Sequence, residues 1–213
     1  MMKFAIIGAS SRIGLEAIDL ILSETDWDLN LFLRNQEKLS HVNLPSDRVH
    51  IFEGSADSVE DLVPALEGVD FVFASLAGDM EAHANALVTA MKEAGVARMS
   101  FVTTLGILDE VPGAFGAWNN QAIGAYLPPY QAAAEIIEAS DLDYTIFRPA
   151  WLTNQAEVDY EVTLRDEPFK GTEISRRSVA AAALDLASNP EKYSRQNIGL
   201  NKPGTDGPKP AFM

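Results

Sequence analysis

The stretch FAIIGASSRIG, residues 4–14, decides the fold. Its apolar run stops at Gly8, a Ser-rich segment with one arginine follows, and Gly14 opens GLEAIDLILSE (14–24). In that second segment Leu15, Ile18, Ile21 and Leu22 recur at helical spacing. A buried strand, a glycine turn and an amphipathic helix together form the first unit of a dinucleotide-binding fold, because a helix N-terminus attracts pyrophosphate. Gly8 permits the tight turn, and Gly14 lets the helix pack close to the sheet. Ser11 stands where a glycine usually lets backbone approach the phosphates, and it can serve if its hydroxyl turns toward the ligand.

Outward from this unit the strand and helix patterns alternate. DLNLFLR (28–34), RVHIFEG (48–54), VDFVFASLAG (69–78), VARMSFVTTLG (96–106) and LDYTIFRPA (142–150) read as strands. SVEDLVPALEG (58–68), DMEAHANALVTAMKEAG (79–95) and QAAAEIIEAS (131–140) read as helices, the first kinked at Pro64 and the second stopped by Gly95. Such repetition predicts an α/β fold, a doubly wound parallel sheet with helices on both faces, in one domain over residues 1–213. Two stretches break the rhythm. Residues 106–129, rich in Gly and Pro, are expected to form a loop that acts as a mobile cover, with Phe115 and Trp118 as its apolar face. Residues 157–174 alternate like a strand or hairpin added on the substrate side. Residues 202–213 are expected to be a mobile tail.

Sixteen basic and thirty-one acidic residues give a net charge of −15. Such a surface repels nucleic acid and anionic membrane, so any phosphate site must be local, built from a few arginines and backbone N–H groups. The chain has no cysteine, which excludes disulfides, thiolate metal sites and cysteine nucleophiles. No apolar run approaches the roughly 20 residues of a membrane span, and the start lacks the pattern of a signal peptide. A cytoplasmic protein is expected. His41, His50 and His83 lack metal-ligand spacing and read as solvated surface, and no metal is expected.

Twenty residues beyond Gly14, where an acidic residue would hold the ribose 2′-hydroxyl of NAD, the chain has Arg34. Its planar donor fork suits a 2′-phosphate, so NADP(H) is expected in preference to NAD(H). Arg12 is expected to add a second charge at that end.

GASSRIG, LFLRNQEKL, GVDFVFASLAG, SFVTTLG and SDLDYTIFRPAWLT follow the order and spacing of the atypical short-chain dehydrogenase/reductases. Over residues 3–200 the chain most resembles the NmrA-like NAD(P)H-binding proteins and the small flavin or biliverdin reductases. The resemblance implies a Rossmann fold in which Gly8, Ser10, Ser11, Arg12, Ile13 and Gly14 wrap the pyrophosphate and Arg34 takes the adenosine end. It also implies that Ala74, Ser75 and Leu76 line the ribose side, with Pro149, Ala150 and Trp151 beside the nicotinamide and Thr103 and Thr104 near the reacting ring. Three departures stand out. Ser55 replaces an acidic residue near the adenine, Ser178 replaces a helix-start aspartate, and the Tyr-x-x-x-Lys pair is missing. Tyr126 is followed four residues later by Tyr130, and Tyr130 by Ala134, while Gln131 lies where relatives carry a lysine.

Hydride reduction of an ordinary ketone makes an alkoxide that needs a proton, and the lysine of that pair tunes the tyrosine to supply it. A flavin, quinone or extended tetrapyrrole spreads the arriving charge and can take a proton from water. The sequence therefore favours an NADPH-dependent reductase of a conjugated small-molecule acceptor, with Thr104 and Tyr130 as the catalytic candidates. The alternative is a non-catalytic redox sensor acting through a protein partner. A nucleotide-sugar epimerase is the weakest reading.

Overall fold

The computed structural model describes all residues, 1–213. In chain order the elements are β1 (Lys3–Ile7), α1 (Arg12–Glu24), β2 (Asp28–Leu33), β3 (Val49–Glu53), α2 (Val59–Leu66), β4 (Phe71–Ala74), α3 (Met80–Ala94) and β5 (Arg98–Val102). There follow α4 (Gly113–Ile123), α5 (Leu127–Glu138), β6 (Asp143–Pro149), β7 (Trp151–Thr153), β8 (Glu161–Thr163), β9 (Glu173–Ser175), α6 (Arg176–Ser188) and β10 (Gln196–Asn201).

Eight strands form one sheet in the order β3-β2-β1-β4-β5-β6-β10-β8, parallel except for β8, which runs antiparallel to β10. This is a Rossmann-type α/β fold. Strand side chains alternate between faces, so a parallel sheet covered on both sides needs apolar residues at consecutive positions. β1 shows it: Phe4 and Ile6 join the core under α1 and α6, while Ala5 and Ile7 join the core under α2, α3 and α5. Strand order reverses between β1 and β4, and the crevice beyond their carboxyl ends is where such sheets bind ligands. No helix is long and apolar enough to cross a membrane.

Four stretches add to the expectation or differ from it. Residues 106–129 are mostly helix: α4 occupies the middle, a 3-10 turn follows at Gly124–Tyr126, and α5 starts at Leu127. Packing overrides glycine's poor helix propensity here. Phe115 is 5% exposed, and a Cβ on Gly116 would meet the Val111 carbonyl oxygen at 2.0 Å, so this glycine lets the helix close on its own lead-in. Residues 157–174 form the strand alternative and no hairpin: β8 extends the main sheet, and β9, which begins at Glu173, pairs with β7 in a separate two-stranded sheet. The α6 helix is capped by the Ser175 hydroxyl and begins where the resemblance implies a helix start, and strand β10 follows it into the main sheet. The tail from residue 202 is tied back at its start: Thr172 N–H and Oγ1 donate to the Thr205 carbonyl at 3.1 and 2.6 Å.

Candidate functional site

The glycine turn is built as its residues require. Gly8 has φ +87°, and a Cβ there would lie 2.2 Å from the Ser75 carbonyl oxygen. Only glycine fits that position. A Cβ on Gly14 would stand 2.8–2.9 Å from the carbonyls of Gly8 and Ala9, so the helix start is equally close to the turn. Ser11 does not turn its hydroxyl outward. It caps α1, accepting from Gly14 N–H at 2.9 Å, and donates to Ser75 Oγ at 3.1 Å. The amide N–H groups of Ser10, Arg12 and Ile13 have no acceptor within the chain. Free donors at a helix N-terminus, over a turn that admits no Cβ, fit a pyrophosphate.

On the β2 side of this turn lies a cleft of about 440 Å³ lined by Gly8, Ser10, Ser11, Arg34, Lys38, Ser55, Asp57, Ser75, Leu76 and His83, among others. Arg34 follows directly on β2 and forms no ion pair, nor does Lys38. Sequence reasoning missed Asp57 and His83. Asp57 lies two residues past Ser55, and the hydroxyl of Ser55 holds its carboxyl below the usual range, with smaller contributions from His83 and Arg34. His83 is not solvated surface: it is half-buried, its Nδ1 has no partner, and desolvation lowers its pKa. The signal for both was spacing from β3 and from the start of α3. Ala74 does not reach the cleft; its side chain is fully buried in the core. Ile13 likewise gives the site only its backbone.

On the β6 side lies a pocket of about 450 Å³, mostly apolar, lined by Thr103, Thr104, Leu105, Ile123, Tyr130, Pro149, Ala150, Trp151, Leu152, Arg176, Phe212 and Met213. It brings together every residue assigned to the reacting end. Thr103 is committed elsewhere, since its Oγ1 donates to the Phe147 carbonyl at 2.8 Å. Thr104 is half-buried and has no intramolecular hydrogen bond, so its hydroxyl is free to face a ligand. Tyr130 is half-buried, and desolvation alone raises its pKa above that of an ordinary phenol. No cation lowers it.

The segment expected to cover this pocket, residues 106–129, packs its aromatic rings against Trp151 at the pocket's edge. Trp151 Nε1 donates to Asn119 Oδ1 at 2.9 Å, and the Trp118 and Trp151 rings pack 4.8 Å apart, with Phe115 stacked behind Trp118. The lead-in to α4 is pinned by Glu110, which accepts from the N–H groups of Gly106 and Leu108 at 3.0 Å each. Glu110 also pairs with Arg148 of β6 at 2.5 Å, with side chains 4% and 0% exposed. Asn197 of β10 accepts from Arg148 Nε at 2.8 Å, so the buried guanidinium is well satisfied.

Arg12 is also placed differently. Its side chain does not join Arg34 but lines a third, larger cleft of about 770 Å³ with Arg176, Asn154, Gln155 and Lys202. Ser178 stands at a helix start as expected, in the first turn of α6, where it is buried and bonds to the Asp159 N–H and to the carbonyls of Glu157 and Asp159.

The strand order, the glycine turn and the crevice define a dinucleotide-binding protein of the Rossmann class. The chain belongs to the NAD(P)H-binding family, whose model matches residues 8–190. It is 40% identical to a Rossmann-fold NAD(P)-binding family protein from Shigella flexneri, with each chain fully covered and a TM-score of 0.83. A wide-type short-chain dehydrogenase/reductase from Veillonella parvula, solved in complex with NADP, is 27% identical over 99% of both chains, with a TM-score of 0.90. Among curated relatives, oxidoreductase ptaF of Pestalotiopsis fici is 24% identical over 94% of this chain and 85% of its own length.

Proposed function

We propose that the protein is an NADPH-dependent reductase of a flat conjugated acceptor such as a flavin or quinone. The observation that carries this reading is Tyr130: the pocket's phenol stands in mostly apolar surroundings, and only desolvation shifts it. Raising a tyrosine's pKa keeps it protonated and makes it a poor proton shuttle near neutral pH. A bound NADPH would supply the hydride, and an acceptor whose delocalised ring takes its proton from water needs no tuned tyrosine. The chain's part is then to bind and orient. Ser10, Arg12 and Ile13 would hold the pyrophosphate through their amides, Pro149 to Trp151 would support the nicotinamide, and the Trp151–Trp118 wall would exclude water from one side.

Arg34 and Lys38, both without a carboxylate partner, support a preference for the 2′-phosphate of NADP(H). The complex of the Veillonella relative with NADP agrees with that choice. Anaerobic NADPH oxidation against a panel of flavins, quinones and aliphatic ketones tests the reading. Turnover of flavins or quinones alone supports it. Tight NADPH binding without turnover of any acceptor would replace it with a dinucleotide sensor that acts through a protein partner.

A further inference from the structure

The pocket beside Tyr130 and the larger cleft beyond it are lined in common by Leu152, Arg176 and Phe212. A ligand seated against the nicotinamide site can therefore extend past Arg176 into the larger cleft. The charges there are unusual for so acidic a chain. Lys202 is neutralised by Glu157 at 2.7 Å, and Glu173 is the other carboxylate of the cleft. Arg12 and Arg176 have no carboxylate partner. All the side-chain hydrogen bonds of Arg176 come from Nη1, to the carbonyls of Leu152 and Thr153 and to Asn154 Oδ1 at 3.2, 3.0 and 2.7 Å. These bonds hold the guanidinium at the junction of pocket and cleft and leave Nε and Nη2 free. Arg12 lies near enough that its charge, after desolvation, helps to lower the pKa of Arg176. Glu16 is close enough to oppose that effect but is paired with Arg177 at 3.0 Å. Two like charges with no direct ion pair of their own suit an oxyanion that both can hold.

We infer that Arg12 and Arg176 form an anion site at the junction of the two cavities that takes a phosphate or carboxylate of the acceptor. The site stands apart from Arg34 and Lys38, and the acceptor class becomes a conjugated ring with an anionic side chain. This inference rests on the reductase reading. The other source of such an oxyanion is the cofactor's own pyrophosphate, because Arg12 opens α1.

FMN and riboflavin share a ring and differ by one phosphate, so they separate these sources. Binding of each is measured by calorimetry to the protein loaded with NADP⁺, for wild type, Arg176→Gln and Arg12→Gln, with folding checked by thermal melting. FMN is expected to bind about tenfold or more tightly than riboflavin, since charge-assisted hydrogen bonds are the strong ones. Either substitution should bring the two affinities together by weakening FMN while leaving riboflavin unchanged. Because Arg12 makes no contact that holds the fold, its variant keeps the test valid if Arg176→Gln disturbs β7. Equal affinities in the wild type, or no binding of either flavin, would overturn the inference. So would variants that weaken NADP⁺ while the FMN-to-riboflavin ratio persists, since the anion would then be the pyrophosphate. FMN held through Arg176 yet not reduced by NADPH would overturn the reductase reading and leave the anion site standing.

Discussion

The cleft beside β2 and the pocket beside β6 lie on either side of one glycine turn, and they are built by different physics. The first is polar and rests on backbone geometry: a positive-φ glycine, a capped helix start and unpaired cations. The second is mostly apolar and rests on packing: an aromatic series from Phe115 to Trp151, braced by a buried ion pair. On the proposed function, the polar cleft with its free cations would discriminate cofactors by charge and the apolar pocket would discriminate acceptors by shape.

The largest expected effect is on the packed side. Glu110→Ala leaves the fully buried Arg148 guanidinium without its counterion and frees the turn before α4. Breaking such a pair costs about 3–5 kcal/mol. Urea denaturation measures it, and a loss below about 1 kcal/mol, the size of an exposed pair, would show that the wall is held by something else. On the polar side, Gly8→Ala forces a Cβ into the Ser75 carbonyl at positive φ, which costs about 3 kcal/mol through strain and overpacking together. Dinucleotide binding should fall with it, whereas the aromatic wall should keep its near-ultraviolet circular dichroism. Unchanged binding would remove the turn from the cofactor site.

These two variants also separate what the amino-acid pattern reveals from what it conceals. Gly8, Gly14 and the six apolar strands were legible, because a turn at a strand end and a doubly covered sheet both leave local marks. The wall was not. Gly113, Gly116 and Asn119 speak against a helix locally, and only contacts with Val111 and Trp151, distant or across a tight approach, make α4 the stable form. Arg148 sits in a legible strand, but its partner Glu110 lies 38 residues earlier, too far for any spacing rule to join them. Arg12 was read as facing Arg34, because sequence places it in the loop but does not say to which side a side chain at a helix start points. The reverse holds for α6: the Ala-rich run after Ser175 carries its own helix signal, and its start is legible at Ser178.

Arg34→Asp removes a charge-assisted contact and adds repulsion, and it should cost about 2 kcal/mol of NADPH affinity while leaving NADH unchanged. Calorimetry with both cofactors decides it, and equal wild-type affinities would end the assignment of the β2 side to a 2′-phosphate.

The smallest effect is expected at Tyr130, and it bears most on the central claim. Burial raises the phenol's pKa above the ordinary value near 10, so Tyr130 stays protonated between about pH 6 and 9 and contributes no ionisation to the rate there. The decisive measurement is the anaerobic rate of NADPH oxidation by the fastest flavin or quinone, wild type against Tyr130→Phe, across that range. A packing role predicts a loss of less than about tenfold with an unchanged pH profile, below the usual worth of general acid catalysis. A loss of about a hundredfold or more, with an aliphatic ketone turned over as fast as the ring acceptors by the wild type, would contradict it.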